Sequence, residues 1–490
     1  MLAYTINSKL LKNNIYIPKY YDPDLQNEIN ALSSTHDLFL VCDLINDGVL
    51  IAQTGHEIGK MAYGTGNIPF VRTSDILNWE IKTIPKQGVS EEIYQQYAEK
   101  EDVHPGDILL VRDGTYLIGT NCMITEMDVP MVFQSHILKL RVLKPEKLDP
   151  ILLFLSINST LVQRQIKNMQ FTADIIDTLG NRYQEIILPI PKDTVQKEKL
   201  VNEMKAAIAD RTKFKAAIKQ MPILIEQVLD QNSMKPIDDF LAKPINIIMG
   251  ELVQDTTTLE FGEFSAFNIE NSKIVNNIFL PKYYDPSIEE TLERLSLNCD
   301  LYSIKTLVEK GELELATGDE IGKMAYGTGN IPFVRTSDFS NWEIKTDAKQ
   351  GVSEEIYDQY SQKEDVKAED ILIVRDGTYL VGTSCMISSS DEKMLYCGGL
   401  IKIRCASRKI INPYLLLGLL NSYIVKKQIR TKQFTRDVID TLGQRFTEVI
   451  LPIPKDKTIR AGISKEVEII LKNRIESRDK ILNLSDRILQ

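Results

Sequence analysis

The chain has 490 residues, 43% of them hydrophobic and 26% charged, an ordinary balance for globular protein of several domains. Its 58 basic and 68 acidic residues give a formal charge of −10, which excludes an indiscriminate nucleic-acid coat but not a local basic face. Six cysteines without a C-x-x-C pair and four scattered histidines speak against disulfides and a structural metal, and the lack of a long apolar run places the chain in the cytoplasm, away from membranes.

In chain order, IYIPKYYDP at 15–23 is followed by EIGKMAYGTGNIPFVRTSD at 57–75, QGVSEEIY at 87–94, DILLVRDGTYLIGT at 107–120, DTLG at 177–180 and LPIPKD at 188–193. Each returns at a constant offset of 263 residues, the nineteen-residue stretch unchanged at 320–338 and LPIPKD at 451–456. A period so long is no solenoid repeat, whose units run to roughly 50 residues, so each copy is a domain or more.

Within a copy, short β-rich runs such as DILLV at 107–111 and ILKLRV at 137–142 alternate with Gly, Pro and Asp turns, which predicts a mixed α/β globule. The apolar spacing of DPILLFLSINSTLVQRQIKN at 149–168 predicts a helix. After each LPIPKD the pattern becomes a long helix, with Leu200, Met204, Ile208, Ile218 and Ile225 in the first copy and Ile463, Val467, Leu471, Ile475, Ile481 and Ile488 in the second. Each stripe needs an apolar partner, and the simplest is the other helix, packed antiparallel. Pro222 should interrupt the first helix near its end.

The fold class is therefore α+β: two similar mixed α/β domains separated by two long antiparallel coiled-coil helices about a pseudo-twofold axis. The expected boundaries are residues 1–193 for the first domain, 194–231 for a central helix, 232–263 for a connector, 264–456 for the second domain and 457–490 for the C-terminal helix.

A surface that reads DNA needs guanidinium, amide and hydroxyl groups. Lys60, Arg72, Thr73 and Ser74 surround the YGTGN turn, as do Lys323, Arg335, Thr336 and Ser337, and the turn's glycines would permit close approach to phosphate. Arg112, Thr115 and Tyr116, with Arg375, Thr378 and Tyr379, follow strand runs. The alternative for these arginines is pairing with Asp75, Asp113 and their twins to hold the fold. YIVKKQIRTKQFTR supplies Lys426, Lys427, Arg430 and Lys432 without an acid, and Arg164 and Lys167 stand in the first copy; such a run is either a phosphate track or a solvated helix face. Gln134, Ser135 and His136 face Cys397, Gly398 and Gly399, a swap that removes hydrogen-bonding side chains from one copy.

The order IPFVRTSD, a G-V-S run, PGDILLVRDGTYLIGT and LPIPKD feeding a long helix resembles the specificity subunit of type I restriction-modification systems, over essentially the whole chain. The resemblance implies two target-recognition domains, double-stranded DNA as ligand, and two methyltransferase subunits as partners, with restriction (translocase/nuclease) subunits as further ones. It implies no cofactor on this chain, S-adenosylmethionine being expected on the methyltransferase subunit. Two similar readers should recognise a nearly palindromic, interrupted target, and a helix of about 25 residues would space half-sites roughly one turn apart. No catalytic residues are expected, and the amino-methyltransferase Asn/Asp-Pro-Pro-Tyr/Phe segment is missing. The alternative is a metal-dependent endonuclease using EIK at 80–82 and 343–345 with Asp75 and Asp338.

Overall fold

The apolar runs found in sequence become central strands in the computed structural model, which describes residues 11–12, 15–114, 116–173, 176–244, 247–248, 266–346, 350–377, 379–436 and 439–490. Thr115, Thr378 and the connector stretch 249–263 lie outside the described residues. The chain divides into two units, residues 1–212 with 476–490, and residues 213–475.

Unit 1 is built on β1 (His36–Leu40), β2 (Leu50–Thr54), β3 (Ile68–Val71), β4 (Gln87–Val89), β5 (Ile108–Val111), β6 (Asn121–Met123), β7 (Val132–Phe133), β8 (Ile137–Val142) and β9 (Ile187–Pro191). An antiparallel sheet runs β2-β8-β5-β6, with Leu138 opposite both Thr54 and Leu110. A second sheet runs β4-β3-β7, parallel between β3 and β7. β1 pairs with β9, so the strand of LPIPKD closes the globule just before the long helix leaves it.

Unit 2 repeats the design with β10 (Cys299–Ser303), β11 (Leu313–Thr317), β12 (Ile331–Val334), β13 (Gly351–Val352), β14 (Ile371–Val374), β15 (Ser384–Met386), β16 (Leu395–Tyr396), β17 (Leu400–Cys405) and β18 (Ile450–Pro454). Its sheets run β11-β17-β14-β15 and β13-β12-β16, and β10 pairs with β18.

The repeated G-V-S motif starts a helix. Ser90 caps α1 (Glu91–Glu101) by accepting the Ile93 N–H, Ser353 does the same for α5 (Glu354–Glu364), and both helices end at an aspartate in the left-handed region. The segment expected as one helix at 149–168 is two, α2 (Pro150–Asn158) and α3 (Thr160–Asn168). Ser159 adopts extended angles and its hydroxyl accepts from Val162 N–H, so a cap formed where continuous helix was expected. The twins are α6 (Pro413–Leu420) and α7 (Tyr423–Lys432).

Two long helices are divided between the units. α4 (Thr194–Gln231) lies in unit 1 up to Thr212, and α8 (Lys457–Arg487) enters unit 1 from Glu476. In unit 1, Leu200, Met204 and Ala207 share one core with Ile481, Leu484, Ile488, Leu153 and Leu188. Gln196 and Glu203 both reach Arg487, and Glu203 also feels Lys480, which fixes an antiparallel crossing. In unit 2, Ile225, Ile463 and Val467 crowd Gly418, where a Cβ would sit 3.2–3.3 Å from all three, and Met234 covers Gly462. The five largest apolar side chains that the helices bury in unit 1 contribute on the order of 10 kcal/mol before chain entropy is counted.

Pro222 does not interrupt α4, which runs unbroken for 38 residues to Gln231, the end expected from the sequence. A mid-helix proline costs about 3 kcal/mol through its missing N–H and ring clash. Beyond it Ile225, Val228 and Leu229 are 0, 0 and 1% exposed, and burying them outweighs that cost. Pro222→Ala should therefore raise stability, by up to about 3 kcal/mol in guanidinium unfolding.

Candidate nucleic-acid interface

The GKMAYGTGN loop is a presented platform with a fixed base. Thr65 Oγ1 accepts from Ser90 N–H at 3.0 Å and donates to Ala62 carbonyl at 2.8 Å, and Thr328 repeats both bonds with Ser353 and Ala325. Tyr63 stacks on Phe70, and Tyr326 on Phe333. A Cβ on Gly66 would lie 2.6 Å from Val89 carbonyl, and one on Gly88 closer still to Gly66 carbonyl. The second glycine of the turn thus serves backbone packing inside the protein rather than approach to phosphate. On top stand Lys60 and Lys323, exposed and without an ion pair among the described residues, beside Met61 and Met324, 92 and 93% exposed.

Behind the loop, Arg72, Thr73, Ser74, Thr336 and Ser337 are half-buried, while Arg335 is exposed with its guanidinium 5.9 Å from the Tyr326 ring. Asp75 is buried and accepts the backbone N–H groups of Arg72 and Lys86 at 3.0 and 3.1 Å. Burial, the largest influence, raises its carboxyl above the usual range despite those donors.

RDGTY and DTLG form one device. Arg112 grips Asp113 through Nε and Nη2 at 3.0 and 2.6 Å, Thr178 hydroxyl donates to the other Asp113 oxygen, and Gly114 N–H bonds Asp177 carbonyl. Arg375, Asp376, Thr441 and Gly377 repeat this. Burial would raise the Asp113 carboxyl, but Arg112, Thr178 and His136 together hold it below its ordinary value. These two arginines do pair with their neighbouring aspartates, as the structural alternative required. Tyr116 is 55% exposed beside them and Tyr379 half-buried. Gln134 is buried, and His136 stands between Asp113 and Glu57.

The basic helix is less free than its sequence suggested. Lys427 lies 3.4 Å from Asp285, and Lys432 bonds Glu448 at 3.0 Å over the Tyr283 ring. Arg164 makes a two-pronged bond to Glu28 at 2.7 and 2.6 Å. Distant segments supply the acids that the local run lacks. Lys167 and Arg430 stay exposed without an ion pair among the described residues, and Lys426, through burial first and the Arg430 charge second, is lowered to about 8.

The carboxylates of the endonuclease alternative are buried against guanidinium groups. Glu80 lies 3.4 Å from Arg211 on α4, and Glu343 lies 2.9 Å from Arg474 on α8, Glu343 and Arg474 being 2 and 0% exposed. Lys82 and Lys345 of the same EIK motifs are buried too. Among the described residues no cluster of His, Cys, Asp or Glu could hold a metal. Glu80 and Glu343 tie each globule to a long helix.

Sequence reasoning missed Glu101 and Glu364, the last helical residues of α1 and α5. Both are 1% exposed. Glu101 accepts from Phe133 N–H at 2.8 Å and from His56. Glu364 accepts from Tyr396 and Asp319 N–H groups, and burial, with the adjacent Asp319 charge adding, pushes it up to about 7.

No protein-family model matches the chain, and no curated protein does. Among the solved structures similar to it are the following three. The crystal structure of the type I restriction-modification system S subunit from M. genitalium has 11% identity and a TM-score of 0.35 over 98% of this chain and 97% of its own. The HsdS subunit from Thermoanaerobacter tengcongensis has 13% identity and a TM-score of 0.27, covering 93% of this chain and 95% of its own. A chain from a study of complex assembly and conformational transition of the type I R-M system has 13% identity and a TM-score of 0.26 over 93% and 96%.

Glu343→Gln should destabilise unit 2 by on the order of 3 kcal/mol in chemical unfolding, because Arg474 keeps its buried charge. Glu364 sets a pH dependence of opposite sense to the usual carboxylate. Its folded value of about 7 lies above its ordinary 4.5, so the stability it gives is complete below the ordinary value and is lost as pH rises towards 7. Urea melts at pH 5 and pH 8 should show wild type losing stability relative to Glu364→Gln at the higher pH.

Proposed function

We propose that the chain is the DNA sequence-specificity subunit of a type I restriction-modification complex, reading a bipartite, near-palindromic target in double-stranded DNA with its two recognition domains. The chain does no chemistry in this reading: it binds, and two methyltransferase subunits carrying S-adenosylmethionine act beside it. Restriction subunits join the same complex.

One observation carries the reading. The two units present the same loop sequence with exposed tips, Lys60-Met61 and Lys323-Met324, on the same Thr-pinned base, and a repeated surface on one chain suits ligands of like chemistry twice. Duplex DNA with related half-sites is such a ligand, and the exposed lysines and Arg335 supply groups for phosphate and base edges. The burial of Glu80 and Glu343 against arginines speaks against the endonuclease reading.

The test is duplex binding by the full chain together with a methyltransferase partner, measured across salt. Affinity should fall steeply as salt rises, and Lys60→Ala with Lys323→Ala should lower the slope of log K against log salt by about 2 while preserving the preferred sequence. A wild-type complex that shows no site-selective binding sinks the proposal.

A further inference from the structure

The units differ beside the RDG turn, where Gln134, Ser135 and His136 stand opposite Cys397, Gly398 and Gly399. The backbone there is the same in both: Arg112 and Asp113 N–H groups donate to His136 carbonyl at 2.9 and 3.2 Å, and Arg375 and Asp376 N–H groups donate to Gly399 carbonyl at 2.9 and 3.2 Å. The aspartates are held alike, by the preceding arginine on one oxygen and by Thr178 or Thr441 on the other. Only the covering side chain changes. In unit 1 His136 Nδ1 lies 3.2 Å from Asp113 Oδ2, and 7% of the Asp113 side chain is exposed. In unit 2 Gly399 has no ring to offer, and 27% of the Asp376 side chain is exposed.

The adjacent position follows suit. Ser135 hydroxyl donates to Glu57, whose carboxylate also lies 4.0 Å from His136 Nε2. Gly398 replaces that serine, and Glu320, the twin of Glu57, is exposed without a hydrogen-bond or ion-pair partner among the described residues.

An ionised carboxylate accepts hydrogen bonds and cannot donate them, so an uncovered aspartate suits an exocyclic amino group on the major-groove edge, N4 of cytosine or N6 of adenine. In unit 1 the carboxylate requires the hydrogen on Nδ1, which leaves Nε2, 4.0 Å from the exposed Glu57 carboxylate, as the remaining polar atom of His136. Resting on the specificity-subunit reading, the geometry points to one asymmetric position in an otherwise symmetric target: unit 2 reads an amino-bearing base through Asp376, and unit 1 reads the counterpart through His136.

Gly399→His tests this in place. The backbone at Gly399 lies outside the left-handed region, and a new Cβ would sit 3.1 Å from the Thr336 methyl, at a position where unit 1 also carries a threonine, Thr73. The full chain is co-expressed with its methyltransferase and modified sites are mapped across a genome. Gly399→His should change the base preference at one position of one half-site by about tenfold or more, towards that of the other half-site, and His136→Gly should change the other half-site in the opposite sense. Unchanged motifs from both variants, each melting like wild type, overturn the assignment. A wild-type chain that yields no modified motif overturns the specificity-subunit reading and takes this assignment with it.

Discussion

A long helix with an apolar stripe is unstable alone in water, and each unit resolves this by placing two helix segments and one globule around a common core. Leu200 and Met204 from α4 meet Ile481 and Leu484 from α8 under the same strands that bury Leu153 and Leu188. Within each unit the globule and its helix segments are therefore one folded body. Removing either helix segment would open the core of a globule, and the buried Glu80–Arg211 and Glu343–Arg474 pairs add polar ties at the same junctions.

Much of the identity between the copies serves this architecture. Gly66 and Gly88 let two backbone segments touch, Ser90 and Ser353 start helices, and Thr178 with Asp177 pins the RDG turn. What remains after these duties is small: the Lys60-Met61 tip and its twin, Tyr116, Arg335 and the contrast between His136 and Gly399. The exposed groups that differ or stand free of these duties are a few side chains mounted on a frame that the two units share.

The duplication, the strand runs and the helical stripes were legible because they depend on periodicity and local propensity, which a sequence states directly. The break at Ser159 was not, since a serine in an apolar run gives no sign of whether it will cap or continue a helix. Passage of α4 through Pro222 depended on tertiary burial that overrides propensity. In the candidate interface, sequence located the basic groups but not their partners. Glu28 and Asp285 lie far along the chain from Arg164 and Lys427, and Glu448 lies beyond the helix that carries Lys432, so only folding brings the charges together. Glu101 and Glu364 went unnoticed because an acid at a helix end reads as solvated until strands close over it.

The division of the chain has a temporal side. Unit 2 is one continuous stretch, residues 213–475, whereas unit 1 needs a segment made after all of unit 2 has been translated. His36 Nε2 donates to Ile488 carbonyl at 2.7 Å, a bond that joins an early strand to the last turn of the chain. During synthesis the first globule must wait with an open apolar flank until the end of α8 is made, so its core closes only after the second globule has been translated.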